Sequence, residues 1–333
     1  MHKSIIISTF AADLKTQIRH SGTGRISRLQ MGTMSLWESQ ESNGLISLKE
    51  LFDNPQMEFE VLSTLSVDDL IFAACRGGWP AAVCAKSKKA ALSVARDYVN
   101  TVCNSDIMRI DGVRRNSQLT RQILRSYARN ISTLAKTSQM LQDVVASDDM
   151  DCTRPTFMDY VNALERLFVI QDVGAWCPAI RSKTTIRSGS KRGFCDPSIA
   201  VALLGLTPES MQMQLNTFGF IFEQLCIRDL KAYTADQYAT VSYYNDRYGL
   251  EADIVLHLDD GRYALIECKL GSADVDAGAT HLLELQELIR EHNLTEKQVP
   301  IREPDLLIVL TGGKVGLRRK DGVYVIPIGC LKD

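Results

Sequence analysis

The stretch that decides the fold is EADIVLHLDDGRYALIECKL, residues 251–270. Apolar and polar residues alternate on both sides of Asp259-Asp260-Gly261, the pattern of two strands joined by a three-residue turn with glycine in the left-handed position. That turn pairs Leu258 with Arg262 and so sets Asp253 opposite Glu267, with both side chains on one face. Lys269 follows two residues later on the same face, and Ile254, Leu256, Ala264 and Ile266 line the other as core. Two adjacent carboxylates repel unless something positive lies between them. Mg²⁺ accepts a few carboxylate oxygens plus waters, so Asp253 and Glu267 are the candidate metal ligands. Lys269 would orient water or stabilise developing negative charge there. The bland alternative is a structural hairpin with a charged edge. Cys268 falls on the core side and reads as packing.

Working outward, NTFGFIFEQLCIRDLKAYT upstream reads as a helix that buries Phe218, Phe222, Leu225 and Leu230, with Glu223 among them. Strands are expected at 239–245, 252–258, 262–269, 305–310 and 322–328, and a helix at 276–292. This is an α/β domain with a mixed sheet. Asp, about fourteen residues, then Glu-x-Lys resembles the core of the PD-(D/E)xK nuclease superfamily. In that superfamily a carboxylate on the preceding helix often completes the metal site, and Glu223 matches it by order and spacing, so the resemblance implies a role in catalysis for Glu223 and Lys269.

Residues 57–103 read as helices broken by the turn RGGWP, and 118–136 as one amphipathic helix. In the latter, Leu119, Ile123, Tyr127, Ile131 and Leu134 face inward, while Arg121, Arg125 and Arg129 lie nearly opposite. Thr156 is expected to cap the next helix, and Asp196-Pro197 to start another. Between them Lys183, Arg187, Lys191 and Arg192 form a basic Ser/Gly-rich loop or hairpin tip. Helices followed by a basic wing suggest a winged-helix-like region, making these four the candidate nucleic-acid contacts. Exposed turn chemistry is the equally weighted alternative.

The chain has 333 residues and a net charge of −2, so DNA contact would have to come from local patches. No run is long enough to span a bilayer and no secretory leader is present. Nine widely spaced cysteines without a C-x-x-C suggest reduced thiols and a cytoplasmic protein rather than a disulfide framework or a zinc site.

RHSGTGRISRLQMGTMSLWESQESNG, GGWP, LRSYARN, KRGFCDPSIAVALLG, TFGFIFEQLCIRDL and YALIECKLG together resemble bacterial ATP-binding proteins. Those proteins join an AAA-type N-terminal domain to a C-terminal domain of unknown function, number 4143. The resemblance implies that residues 1–50 are the remnant of an ATPase domain, 51–205 a helical and winged-helix-like region, and 206–333 a nuclease-like domain. It also implies association with DNA and, in full-length relatives, ATP binding and oligomerisation through the ATPase region. Walker A and Walker B are both missing here, so ATPase activity is not expected. Arg19, Arg25 or Arg28 would be the remaining phosphate contact, Arg25 foremost, and SIIIS at 4–8 the sensor strand or a strand whose partner lies elsewhere. The chain reads as N-terminally truncated. A non-catalytic DNA- or protein-binding module, or the remnant of a disrupted gene, is the alternative to a Mg²⁺-dependent nuclease.

Overall fold

The computed structural model describes residues 4–7, 26–29, 31–148, 151–176, 189–245, 250–295 and 300–333. The opening hairpin forms as its turn dictates. Leu258 donates its N–H to the Arg262 carbonyl at 2.8 Å, and Gly261 takes a φ of +88°. The two strands, β6 (Glu251–His257) and β7 (Tyr263–Lys269), pair antiparallel with Ile254 opposite Ile266. They belong to a seven-stranded mixed sheet of order β4-β9-β10-β8-β7-β6-β5. Its other members are β4 (Glu60–Leu62), β5 (Thr240–Asn245), β8 (Leu306–Thr311), β9 (Val315–Arg318) and β10 (Tyr324–Pro327). β5, β6 and β7 form an antiparallel meander, β7, β8 and β10 run parallel, and β9 is antiparallel to both β10 and β4.

Each face of the sheet carries a helix, because period-two strands buried on both sides present two apolar rows. Phe218, Phe222 and Leu225 of helix Leu215–Tyr233 share a core with Ile254, Leu256, Ala264 and Ile266. On the other face, Ala279, Leu282 and Leu285 of helix Val275–Thr295 cluster with Val255, Tyr263 and Leu265.

The helical region comprises, among others, helices Val67–Arg76, Lys88–Thr101, Ser117–Arg129, Arg154–Arg166 and Pro197–Leu204. Three expectations are corrected here. Residues 60–62 are a strand, not a helix: Met57, Phe59 and Val61 alternate half-buried with exposed neighbours, and β4 borders β9. The helix expected over 118–136 stops at Arg129, capped by Asn130, and Ser132 turns to a φ of +56°, which leaves Leu134 41% exposed. Thr153, not Thr156, is the N-cap of the 154–166 helix, and its hydroxyl accepts the Thr156 N–H. Asp196 caps Pro197–Leu204 as expected, accepting from Ser198 N–H.

Segments 169–175 and 191–194 are the arms of a hairpin, bridged at Ile170–Phe194 and Val173–Lys191. Ala175 joins Tyr243 of β5, so the arms extend the large sheet past its edge. Near the start of the chain, β1 (Ser4–Ile7) pairs in parallel with β2 (Ile26–Leu29), which supplies the partner the sequence left open. A final pair, β3 (Ile46–Ser47) with β11 (Leu331–Lys332), ties the region before residue 50 to the last strand.

A buried polar joint locks these parts together. Asp196 accepts from the Thr33 hydroxyl at 2.7 Å, the Gly78 N–H at 2.9 Å and the Ser198 hydroxyl at 2.5 Å. Arg228 bridges Asp196 and Asp229, at 3.4 and 2.7 Å. Asp229 in turn accepts the Leu36 N–H at 3.0 Å. A Cβ on Gly78 would lie 2.0 Å from the Met34 carbonyl oxygen, so only glycine fits there. The conspicuous motifs MSLWESQESNG, GGWP, FCDPSIA and CIRDL thus all contribute to one structural junction.

Candidate cation site

The chemistry gathers at the open end of β6 and β7. The regular ladder stops at Ile254–Ile266, one pair short of Asp253 and Glu267. Asp253 instead turns its carboxylate to the neighbouring backbone, and Oδ2 accepts the Cys268 N–H at 2.9 Å. Glu267 is 1% exposed. Its Oε2 pairs with Lys269 Nζ at 2.7 Å, while Oε1 is buried with no hydrogen-bond partner among the described residues. Gly278 of the Val275–Thr295 helix presses on this pair: a Cβ there would lie 3.1 Å from Lys269 Cε and 3.4 Å from Glu267 Cβ. The missing side chain lets the helix lie close over the Lys269 stem.

Glu223 arrives from the Leu215–Tyr233 helix, and a cation the sequence had placed elsewhere meets it. Lys191, on the hairpin arm, is 9% exposed. Its Nζ lies 2.7 Å from Glu223 Oε1, 3.3 Å from the Asp253 carbonyl oxygen and 3.7 Å from Asp253 Oδ1. The Tyr243 ring sits 5.7 Å from the same ammonium. The sequence-predicted set Glu223, Asp253, Glu267 and Lys269 is therefore brought together, with Lys191 as an unforeseen fifth member.

Burial dominates the electrostatics. It pushes Glu223 up to about 8, helped by Asp253 and opposed by Lys191. Glu267 is raised to about 7 by burial and then by Asp253, with Lys269 opposing. Lys191 stays charged: burial works against the ammonium, but Glu223 and Asp253 hold it above the usual lysine range. Cys268 hydrogen-bonds to the Cys226 thiol beneath the site, and that contact and burial hold it protonated, which fits its reading as core.

The other expected contacts separate. Lys191 and Arg192 do not form an open basic wing. Arg192 pairs with Asp172 at 2.5 Å, donates to the Ala135 carbonyl at 3.1 Å and stacks over Tyr127. Both cations are spent on internal partners, a correction to their place among the candidate nucleic-acid contacts. Lys183, Arg187 and Arg25 lie outside the described residues. On the Ser117–Arg129 helix, Arg121 donates to Asn100, Arg129 pairs with Asp143, and Arg125 is exposed.

Among the described residues no group of three or more His, Cys, Asp or Glu side chains is arranged to hold a metal ion. Two carboxylates are what the site offers. They fit a hard divalent cation that keeps most of its waters. Among the described residues Glu267 Oε1 is a buried acceptor without a donor, and Asp253 Oδ1 has the 3.7 Å ion pair alone. Signals for Lys191 and Gly278 were faint in the sequence: a lysine in a basic loop, and one glycine inside a helical pattern.

Residues 218–331 match the model of a Domain of unknown function (DUF4143), and residues 67–210 match that of another Domain of unknown function (DUF8612). No curated protein matches the chain, and no solved structure does. Among the described residues no helix is long and apolar enough to cross a membrane.

Proposed function

We propose that residues 206–333 form a PD-(D/E)xK nuclease-like domain with a divalent-cation site on Asp253 and Glu267, in a DNA-associated protein related to AAA-type ATP-binding proteins. One observation carries the reading: Glu267 Oε1 is buried and unpartnered beside a second carboxylate. A buried acceptor left without a donor costs free energy, and this one lies in a cluster of carboxylates and ammonium groups where a further cation would satisfy it. The helix–hairpin–helix–strand order around it supports the same reading.

A bound Mg²⁺ or Mn²⁺ would polarise a phosphoryl oxygen and lower the pKa of a water. Lys269 holds Glu267 in place through Oε2, and its side chain is 23% exposed, so its ammonium is available at the rim of the site to offset negative charge. In this reading residues 1–50 are the end of an ATPase domain, and ATP is handled only by longer relatives. Residues 51–205 are the helical, winged-helix-like region, and any DNA contact by it would have to use cations other than Lys191 and Arg192.

A non-catalytic module is the second reading, favoured by the two lysines that already compensate the carboxylates. Titration calorimetry with Mn²⁺ separates the two. The wild type is expected to bind one equivalent, and Asp253→Asn, which keeps shape but removes charge, to bind none. Equal heats from both would leave only the module.

A further inference from the structure

We propose that Lys191 is a built-in counter-ion that competes with the divalent cation, withholding Glu223 from it and keeping cation affinity low. The inference rests on the cation reading of Asp253 and Glu267, and goes beyond it in giving control of that site to the upstream hairpin.

Three observations support it. The Lys191 backbone is held in place, since its N–H and carbonyl both bond to Val173, each at 2.8 Å, and its ammonium is held by Glu223 and the Asp253 carbonyl. Its arm is tied to β5, since Trp176 N–H donates to the Tyr243 carbonyl and the Tyr243 hydroxyl donates to the Gly189 carbonyl at 2.5 Å. Second, the ammonium sits where a cation shared by Glu223 and Asp253 would sit, within 2.7 Å of one carboxylate and 3.7 Å of the other. A divalent ion at Asp253 would face a like charge at close range with little water between. Third, the remaining acid is left incomplete. Lys269 occupies only Glu267 Oε2, so the cluster of three carboxylates and two ammonium groups keeps one orphaned oxygen, Oε1. The site is poised for positive charge that the folded chain supplies only in part.

Lys191 belongs to the segment matched over 67–210, while Glu223, Asp253 and Glu267 belong to the segment matched over 218–331. Displacing the hairpin arm would therefore change the charge of a site that lies outside the hairpin's own domain. Glu223 and Asp253 would then face each other without a cation, and a divalent ion becomes the available remedy.

The test is Mn²⁺ binding, read by calorimetry and by loss of the free-ion paramagnetic resonance signal, on the full chain. Lys191→Met and Lys191→Gln should each bind Mn²⁺ at least about ten-fold more tightly than wild type, the size expected for removing one nearby like charge. Adding Glu223→Gln to Lys191→Met should return the affinity toward wild type. Lys191→Gln keeps a hydrogen-bond donor for Glu223, so it carries the test if the methionine variant does not fold, as judged by circular dichroism. Unchanged or weaker binding in a folded Lys191 variant overturns the proposal. If wild type still binds in that case, the cation reading stands and only the competitor fails. If wild type and both variants bind nothing, the two fall together.

Discussion

Two buried ionic clusters lie along the Leu215–Tyr233 helix, and they are built differently. The joint of Asp196, Arg228 and Asp229 is satisfied: both acids are 0% exposed, and each accepts from backbone N–H groups as well as from the shared guanidinium. The cluster of Lys191, Glu223, Asp253, Glu267 and Lys269 uses flexible ammonium groups in place of a planar fork, and it leaves Glu267 Oε1 without a donor. A fully satisfied network holds a fold in one arrangement, whereas a partly satisfied one carries a free-energy cost. One helix thus carries a satisfied joint and, at another point, a cluster with an unpartnered acceptor.

The widest gap between the clusters should appear in stability. Asp196→Ala removes acceptors from Thr33, Gly78 and Ser198 and strips Arg228 of one acid. Urea unfolding should show a loss of about 3–5 kcal/mol, the cost of breaking a buried ion pair by deleting one partner. A loss under about 1 kcal/mol would remove the distinction between joint and site.

Glu267→Gln should act in the opposite direction. The folded pKa of about 7 lies above the ordinary 4.5, so the native state holds more protons than the unfolded state between those values. The wild-type carboxyl therefore lowers stability as pH rises through that window. The glutamine variant should show a flatter profile from pH 5 to 7 and a gain on the order of 1–3 kcal/mol at pH 8, since one pKa unit corresponds to about 1.4 kcal/mol. An unchanged slope would mean that Glu267 is no less comfortable than Asp196. The smallest effect belongs to neither cluster. Arg125→Ala, on the exposed side of its helix, should change thermal unfolding stability by less than about 0.5 kcal/mol.

How much of this was legible depended on distance along the chain. The β6–β7 hairpin followed from local rules, because a three-residue turn with glycine fixes register and register fixes which side chains share a face. Even so, those rules place Asp253 and Glu267 as a cross-strand pair, whereas the ladder ends one residue earlier and Asp253 bonds to the Cys268 N–H. Lys191 was out of reach. A lysine beside Arg192 in a Ser/Gly-rich stretch looks solvated, and nothing local says that β5 and the Leu215–Tyr233 helix will close over it. Residues 57–61 are a different failure. Their two-residue alternation was present, but it occupies only a few residues between longer helical patterns. Glu223 was found through resemblance to a superfamily, because a buried glutamate in an apolar helix carries no partner in its own sequence.

The pairings of β4 with β9 and of β3 with β11 have a consequence for synthesis. A ribosome releases residues 46–47 and 60–62 long before the strands at 315–318 and 331–332 that complete them. Until then the early segments offer unpaired edges, and their closure must wait on non-local contacts that form slowly. Cutting the chain near residue 210 to isolate the matched C-terminal domain would also remove β3 and β4 and bare the edge of β9. The large sheet thus depends on order of emergence, its β4 edge closing only after β9 has been made and the small β3–β11 pair later still.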